Sequence, residues 1–381
     1  MDPAHQGHPG ALDLASRPFS WLALTPLAPD EALSSWLVRA AFAQGCAPLP
    51  FAGGIWPGWR AWTVDIDRAI APERLRVLAQ YSAVQLEILE SMTLRPLLHA
   101  LSTEALPMHG CWTWLRGLGA RNRRRKGGMQ FCPACLAGDA RPYFRKGWRL
   151  SWQVACPVHR AWLRAHCDHC GAAVEYLRLG LGTTSLATCA SCGDVLSNEP
   201  PPLEREDALL SRAVALQAQA DAQAEQALCG NAVAVAWFGR LRFCLSLTRA
   251  CLRESFPALG RLSEALHLNA GGRVLGFGTR VMADLPAHRR ARLMQGAAQL
   301  MAMHTETLID ALRTAGLTRQ GVAVVARNPP DLDAGLATLP SARPRTAAPT
   351  GESQRARPPA PVRAALVRQR WRRLMNQWGW V

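Results

Sequence analysis

The chain has 381 residues, of which 49% are apolar, and this is enough for two or three globular domains with ordinary cores. No apolar run approaches the length of a membrane-spanning helix, and the N-terminus lacks the basic start and apolar stretch of a secretory signal. Twelve cysteines in such a chain indicate metal ligands or free thiols in a reducing cytoplasm.

The net charge of +16 is concentrated in two windows. Residues 121–150 contain nine Lys or Arg against one acid, Asp139, and residues 341–381 contain nine arginines against one acid, Glu352. Concentrated positive charge suits a polyanion and therefore indicates contact with nucleic acid. A GC-rich genome would explain the preference for Arg over Lys, but it would not explain the clustering.

The N-terminal part of the chain is predicted to be helical. Residues 1–16 are rich in Gly, His and Pro and are predicted to be disordered, and residues 17–120 form the helical N-terminal region. Its first helix is predicted to start at Asp30 as the N-cap, to run to Gln44 and to be ended by Gly45.

Two helix pairs have the length and joint of a helix-turn-helix. The first pair is predicted at Pro72–Gln80 and Ala83–Met92, and the second consists of Met301–Thr314 followed, after a short turn, by a helix starting at Arg319. A DNA-reading helix-turn-helix and a plain structural hairpin both fit these patterns.

Residues 121–200 contain four Cys-x2-Cys or Cys-x2-His pairs, the pattern of zinc knuckles. Each pair supplies two corners of a tetrahedral shell from one tight turn, so four pairs make two complete structural zinc sites with no open catalytic position. Loop closure favours sequential over interleaved pairing. The predicted ligands are Cys132, Cys135, Cys156 and His159 for one ion, and Cys167, Cys170, Cys189 and Cys192 for the other.

Residues close to the knuckles have distinct predicted roles. Gly171 and Gly193 directly follow knuckles, where a turn can require positive φ. His166 and His169 are expected to be bystanders because four cysteines already complete the second shell. The remaining cysteines show no ligand spacing and are predicted to be small apolar core residues; they are Cys46, Cys111, Cys229, Cys244 and Cys251.

The predicted nucleic-acid contacts are the basic residues around the first knuckle. For the run at 121–126, a solvated loop that only keeps the protein soluble is the alternative interpretation. The residues concerned are Arg121, Arg123, Arg124, Arg125, Lys126, Arg141, Arg145, Lys146 and Arg149.

The C-terminal half is predicted to contain a helical domain at 201–327, a Pro/Arg-rich linker at 328–361 and a basic helix at 362–381. In that last helix, five arginines and an apolar stripe that includes Trp371 indicate contact with a partner molecule. The alternative is that the helix docks on the chain's own helical domain. The whole chain is therefore predicted to be mainly α, with a central tandem zinc-binding knuckle module and a flexible basic tail.

Several segments resemble the TniQ family of transposon target-site selectors, over roughly residues 17–196. Gly138 and Asp168 depart from the family pattern, and neither is a predicted ligand. The resembling segments are Arg17-Pro18, Asp30 to Leu37, Phe131-Cys132-Pro133-Ala134-Cys135-Leu136, Arg141-Pro142-Tyr143-Phe144-Arg145, Trp148-Arg149-Leu150 and Cys156-Pro157-Val158-His159.

The resemblance implies a non-catalytic adaptor of a Tn7-like transposon, which finds target DNA and recruits an AAA+ ATPase of the TnsC or TniB type. In some relatives the target is reached through a CRISPR effector complex with guide RNA. The implied protein is bacterial and cytoplasmic, associates with the nucleoid when engaged, and has a homodimer among its expected assemblies. A free-standing zinc-finger DNA-binding regulator is the alternative. No Walker A loop, GxSxG elbow or HExxH helix is present in the sequence.

Overall fold

The computed structural model describes residues 21–102, 106, 112–118, 120, 121, 124, 125, 129–182, 185–197, 208–268 and 282–341. The predicted mainly α class is confirmed. Among the described residues the helices are α1 (Leu33–Ala43), α2 (Pro48–Ile55), α3 (Pro72–Ser82), α4 (Leu86–Ser91), α5 (Arg95–Ala100), α6 (Pro133–Gly138), α7 (Ala208–Leu228), α8 (Ala232–Leu252), α9 (Pro257–Ala265), α10 (Ala287–Met301), α11 (Thr305–Thr314), α12 (Arg319–Val325) and α13 (Pro330–Ala337). Short 3-10 turns lie at Ala61–Thr63, Lys146–Arg149, Tyr176–Arg178 and Met282–Asp284, and the two-residue strands β1 (Ala120–Arg121) and β2 (Arg124–Arg125) pair antiparallel.

The first turn of α1 is capped by a side chain from a later segment of the chain. The N-cap of α1 is Ala32, not Asp30 as predicted, and Asp30 instead has a left-handed backbone with φ 54°. The free amide of Ser34 in the first turn donates to Asp67 Oδ1 at 2.7 Å. The cap prediction was wrong because the capping carboxylate comes from another segment of the chain. Gly45 follows the helix with φ 65°, the conformation expected of a glycine that ends a helix.

Both predicted helix pairs are present with shifted boundaries. Helices α3 and α4 are joined through Ala83, which is the left-handed C-cap of α3 with φ 56°. In the second pair the helix predicted at Met301–Thr314 begins four residues later, as α11 at Thr305, and Met301 is the last residue of α10. Helices α11 and α12 are joined by a turn in which Gly316 has φ 78°. A DNA-reading role for either pair stays a prediction.

The buried apolar side chains form two cores. The first combines the helices up to α4 with the cysteine-rich segment, and Trp36, Phe131 and Phe144 lie in it. The second combines residues 94–101, 112–115 and 150–155 with α7 to α13. In this second core the rings of Trp114 and Trp152 meet edge to face, with centroids 5.8 Å apart. The cysteine-rich segment therefore contributes to both cores, and the chain up to Pro340 belongs to one compact unit.

The structure corrects the first part of the predicted linker at 328–361. Helix α13 lies within it, Leu332 and Leu336 are fully buried, and the helix packs against α8 and α11. Its Asp331 pairs with Arg240 of α8 at 3.3 Å. The Pro-rich composition predicted a linker here, although the segment contains a short helix with one buried apolar face. Residues 342–361, the predicted basic helix 362–381 and the predicted disordered segment 1–16 lie outside the described residues.

The cysteines without ligand spacing differ in burial. Cys244 and Cys251 are buried within α8 as predicted, and burial raises the pKa of each thiol to about 12. Cys46 is half-buried, whereas Cys229 is exposed and corrects the prediction of a core position. Cys111 lies outside the described residues. None of the described helices is long and apolar enough to span a bilayer.

Candidate metal centres

The first group of predicted ligands converges on one point. The ligand atoms of Cys132, Cys135, Cys156 and His159 all lie within 4.8 Å of one another. The Sγ atoms of Cys135 and Cys156 are 3.5 Å apart, and His159 Nδ1 lies 3.3 Å from Cys135 Sγ and 3.5 Å from Cys132 Sγ. The three cysteines are buried, whereas the imidazole lies at the surface.

The second group consists of cysteines alone. The Sγ atoms of Cys167, Cys170, Cys189 and Cys192 lie within 4.8 Å of one another, and the distances from Cys167 to Cys192 and from Cys170 to Cys189 are 3.8 and 3.7 Å. Neither His166 nor His169 belongs to the group. The eight side chains thus form two sequential sets, with no interleaving between them.

Three of the four knuckles have the same backbone hairpin. Isolated β-bridges close them at Ala155↔Trp162, His166↔Ala173 and Thr188↔Val195. In each the first cysteine donates its amide across the hairpin at 2.8 Å, and the residue after the second ligand has positive φ. Glycine occupies that position in two of them, as predicted, and Arg160 with φ 48° occupies it in the third. The remaining pair, Cys132 and Cys135, lies instead at the start of α6.

The donor sets and their spacing are consistent with zinc. Zn–S bonds of about 2.3 Å and Zn–N bonds of about 2.0 Å in a tetrahedron give S···S edges of about 3.8 Å and S···N edges of about 3.5 Å. The five S···S and S···N distances given above agree with those values to within a few tenths of an ångström. Hydrogen bonds with the Cys132 thiol lower the pKa of Cys156 and raise the pKa of Cys135.

Amide donors provide support behind the sulfur ligands. The backbone N–H of His159 donates to Cys156 Sγ at 3.5 Å, and that of Ser191 donates to Cys189 Sγ at 3.4 Å. Such contacts stabilise a thiolate and orient it toward a cation. Each set also supplies four protein ligands, so neither leaves a coordination position for water or a substrate.

The segment between the first two knuckles packs against α1. Phe144 is fully buried, its amide donates to Ser35 Oγ at 2.9 Å, and its carbonyl accepts from the amide of Ala32 at 2.9 Å. On the other side its ring lies 4.4 Å from that of Tyr176, in the second cysteine-rich group. Tyr176 in turn hydrogen-bonds through its hydroxyl to Ser34 Oγ at 2.5 Å. Phe144 and Tyr176 therefore connect α1 to the segment between the two ligand pairs of the second group.

The predicted nucleic-acid contacts have very different surroundings. Arg141 is exposed, whereas Arg145 forms a two-point ion pair with Asp139, with N···O distances of 2.9 and 3.1 Å, and stacks on Tyr143. Lys146 donates to the carbonyl of Ser91 at 2.6 Å. Nothing is described of the side chains of Arg121, Arg123, Arg124, Arg125 and Lys126.

Arg149 corrects the prediction of a phosphate contact at that position. Its side chain has no solvent exposure. Its guanidinium pairs with Asp65 at 2.6 Å and Asp67 at 3.3 Å and donates to the Arg116 carbonyl at 2.8 Å. Burial alone would lower the pKa of Arg149, but the two carboxylates more than offset that effect and raise it. A guanidinium held in this way cannot reach a phosphate group.

Sequence reasoning missed a set of buried polar contacts that joins the cysteine-rich segment to the helical region. Gln217 of α7 accepts from the amides of Val154 and Ala155 at 2.9 and 3.2 Å and donates to the Ala155 carbonyl at 3.0 Å. Asp221, one turn later, accepts from the Trp152 indole at 2.8 Å. No local motif marks these residues, because each partner lies more than sixty positions away.

Arg290 of α10 completes this junction. It is fully buried, and it donates to the carbonyls of Ser151 and Gln153 and to the Gln130 side chain. No ion pair among the described residues includes it. Burial lowers its pKa well below the ordinary value, and the nearby Arg116 lowers it further.

Part of the chain matches a known protein family. Residues 24–163 match the model of the family described as TniQ. The matched range contains the first metal-ligand group, helix α1 and the connecting Phe144 segment, and it ends before the second group. No curated protein matches the chain.

Proposed function

We propose, from the premise that this chain belongs to the TniQ family, that it is a non-catalytic adaptor which selects the target site for a multi-component DNA transposon. The family is associated with target-site selection in transposition. In this proposal the chain binds target DNA or a target-bound complex, and it recruits the AAA+ ATPase of the TnsC or TniB type that brings in the transposase. Targeting through a CRISPR effector complex with guide RNA is one form that such an adaptor can take.

The observation that carries the proposal is the match over residues 24–163 together with two closed metal-ligand groups. Both groups would hold structural zinc ions, the first through Cys132, Cys135, Cys156 and His159 and the second through Cys167, Cys170, Cys189 and Cys192. When bound, each zinc supplies folding free energy and fixes the backbone around its ligands, but it supplies no reacting water, because its four positions are occupied by the protein. This favours an adaptor over an enzyme.

The proposed DNA contact rests on charge. Arg141 is exposed and lies three residues after the end of α6, and the sequence run of five cations at 121–126 begins in β1 and includes β2. Phosphate contacts of this kind bind DNA without reading its sequence, and they make affinity fall steeply with salt. Base-specific readout would then come from another element or from a partner.

The test is targeted transposition with defined components. The purified chain is combined with the transposase and AAA+ ATPase of the same element, a donor DNA and a target plasmid, and insertions are counted by sequencing. We expect insertions at the preferred site to require the chain. Cys189→Ala, which removes a ligand of the second group, should reduce them by at least about tenfold because its zinc shell is broken.

The matched control is Cys229→Ala, because Cys229 is exposed and belongs to neither ligand group. This variant should support insertion at the wild-type level. Targeted insertion that proceeds equally well without the chain would contradict the adaptor proposal. If the chain then still bound a specific DNA sequence by itself, the free-standing regulator would be the better description.

A further inference from the structure

Three neighbouring cavities follow one face of α8. Their volumes are about 820, 100 and 220 Å³. The first and second share Val235, Gly239 and Arg242 in their lining, and the second and third share Arg242, Trp112 and Trp114. We call the combined depression the α8 groove. It belongs to the helical region and is separate from both metal-ligand groups.

The floor of the α8 groove is apolar and made of small residues. Ala232, Val235, Ala236 and Gly239 recur at helical spacing, and a side-chain atom added at Gly239 would still lie 3.9 Å from its nearest neighbour. At one end the groove is lined by Leu228, which is 51% exposed. A concave surface with exposed aliphatic side chains at its edge is typical of a site for another apolar surface.

The charge of the groove has one sign. The described lining residues include Arg242, Arg249 and Arg327 and no Asp or Glu. Arg242 is exposed in the part common to all three cavities, and no ion pair among the described residues includes it. Its neighbour Arg240 differs, because it already pairs with Asp331. An occupant that carries carboxylates next to apolar residues would complement both properties of the surface.

We propose that the α8 groove binds an amphipathic segment of a partner protein, in which apolar residues at helical spacing are flanked by Asp or Glu. The inference rests on the proposed function and deepens it by naming the surface and the chemistry through which the adaptor holds a protein. The chain's own segment 362–381 carries five arginines and would be repelled by Arg242. The apolar floor disfavours the phosphate backbone of nucleic acid.

The test measures binding of a labelled peptide to the full chain by fluorescence anisotropy. The probe is a peptide of about 16 residues with leucines at helical spacing and glutamates beside them, and the comparison peptide has lysines in place of the glutamates. The glutamate peptide should bind and the lysine peptide should not. Arg242→Glu, which reverses the exposed charge, and Gly239→Leu, which fills the floor, should each weaken binding by at least about tenfold.

Arg212→Glu is the matched control, since Arg212 is exposed on α7 and lines none of the three cavities. It should change the affinity by less than about twofold at about 0.15 M salt. Unchanged zinc content and melting temperature identify variants that are folded. The proposal would fail if Arg212→Glu weakened peptide binding as much as Arg242→Glu does, or if folded Gly239→Leu still bound the peptide fully. The peptide would then be held by the general positive charge of the protein and not by the α8 groove.

A photo-crosslinker identifies the occupant directly. The full chain with p-benzoylphenylalanine at position 235 is irradiated with the glutamate peptide, and the products are sequenced by mass spectrometry. A crosslink to the peptide is expected. A crosslink to residues 342–381 of the same chain, or to a DNA duplex that competes with the peptide, would overturn the proposal. If the peptide did not bind but targeted insertion still required the chain, only this inference would fail. If targeted insertion did not require the chain, the proposed function itself would fail.

Discussion

Arg149 connects three segments of the chain through one side chain. Its guanidinium contacts Asp65 and Asp67, in the segment before α3, and the carbonyl of Arg116. Asp67 in turn accepts from the amide and hydroxyl of Ser34 at the start of α1. Burial raises the pKa of Asp67, and Arg149 acts in the opposite direction, so the pair depends on both members being present. The residue is therefore structural.

Arg149→Met should destabilise the protein by about 3–5 kcal/mol, because it leaves the carboxylate of Asp67 buried without its cation. Urea unfolding followed by tryptophan fluorescence measures the change. Arg76→Met is the matched control. Its pair with Glu73 has an N···O distance of 3.9 Å and both partners are exposed, so the expected change is below about 1 kcal/mol. If Arg149→Met left the stability unchanged and weakened DNA binding, the structural role would be wrong and Arg149 would be a phosphate contact as first predicted.

The contrast between the metal ligands and Arg149 shows where sequence reasoning succeeds. A knuckle is a local structure, so the spacing of Cys156 and His159 is itself the signal, and the predicted sets match the groups seen in space. Arg149 belongs to the same basic window, residues 121–150, as the exposed Arg141. Its two carboxylate partners, however, lie 82 and 84 residues earlier in the chain. Charge counting cannot distinguish a cation that faces solvent from one that is paired inside the fold.

At the scale of elements, the three equivalent hairpins each present their ligand pair from a turn closed by backbone bonds. The amide of Gly193 donates to the Cys189 carbonyl at 2.9 Å, and Gly171 makes the same bond to Cys167. These turns depend on their own short hairpins, whereas the pair at Cys132 depends on α6. Loss of one ligand should therefore affect one metal site and leave the other group assembled.

Cys156→Ala should reduce the zinc content from two ions per chain to one, because three ligands hold zinc far less tightly than four. Metal analysis of the purified protein measures this directly. Cys251→Ala, at a buried thiol in α8 outside both groups, should retain both ions. One ion or none in the wild-type chain would contradict the assignment of two sites.

Helix α13 shows the limit of composition at this scale. The prolines around it predict a linker, but Pro330 is at the first position of the helix, where a proline fits without loss of a backbone hydrogen bond. Leu332 and Leu336 then give one apolar face, which α8 and α11 cover. A single pair of leucines at helical spacing is too short a pattern to predict a helix from sequence alone.

At the scale of the whole molecule, residues 151–155 hold the cysteine-rich segment and the helical region together. Val154 and Ala155 belong to the core that contains α7 to α13, and the ligand Cys156 follows immediately. Gln217 and Arg290 bind the backbone of this stretch from two helices. The two cores are therefore coupled by both apolar packing and buried hydrogen bonds.

Removal of zinc should consequently destabilise the C-terminal helices as well as the knuckles. With a strong chelator present, we expect the melting midpoint of the helical circular dichroism signal to fall by roughly 10 °C or more, because ligation and folding are linked. Gln217→Ala leaves two buried amides and one carbonyl of residues 154 and 155 without partners, and it should split the melt into two transitions. A helical melt that is insensitive to chelator in the wild-type chain would show that the two cores unfold independently.

The shared core also bears on engineering. A natural plan for altering insertion preference is to exchange the C-terminal half between two relatives, with the cut placed at the end of the matched range near 163 or after the second ligand group. The packing predicts that such chimeras assemble poorly, since residues 94–101, 112–115 and 150–155 would face a foreign set of helices. Donor helices should be transplanted together with these stretches, and the fusion of a new module is best made beyond Pro340, where the compact unit ends.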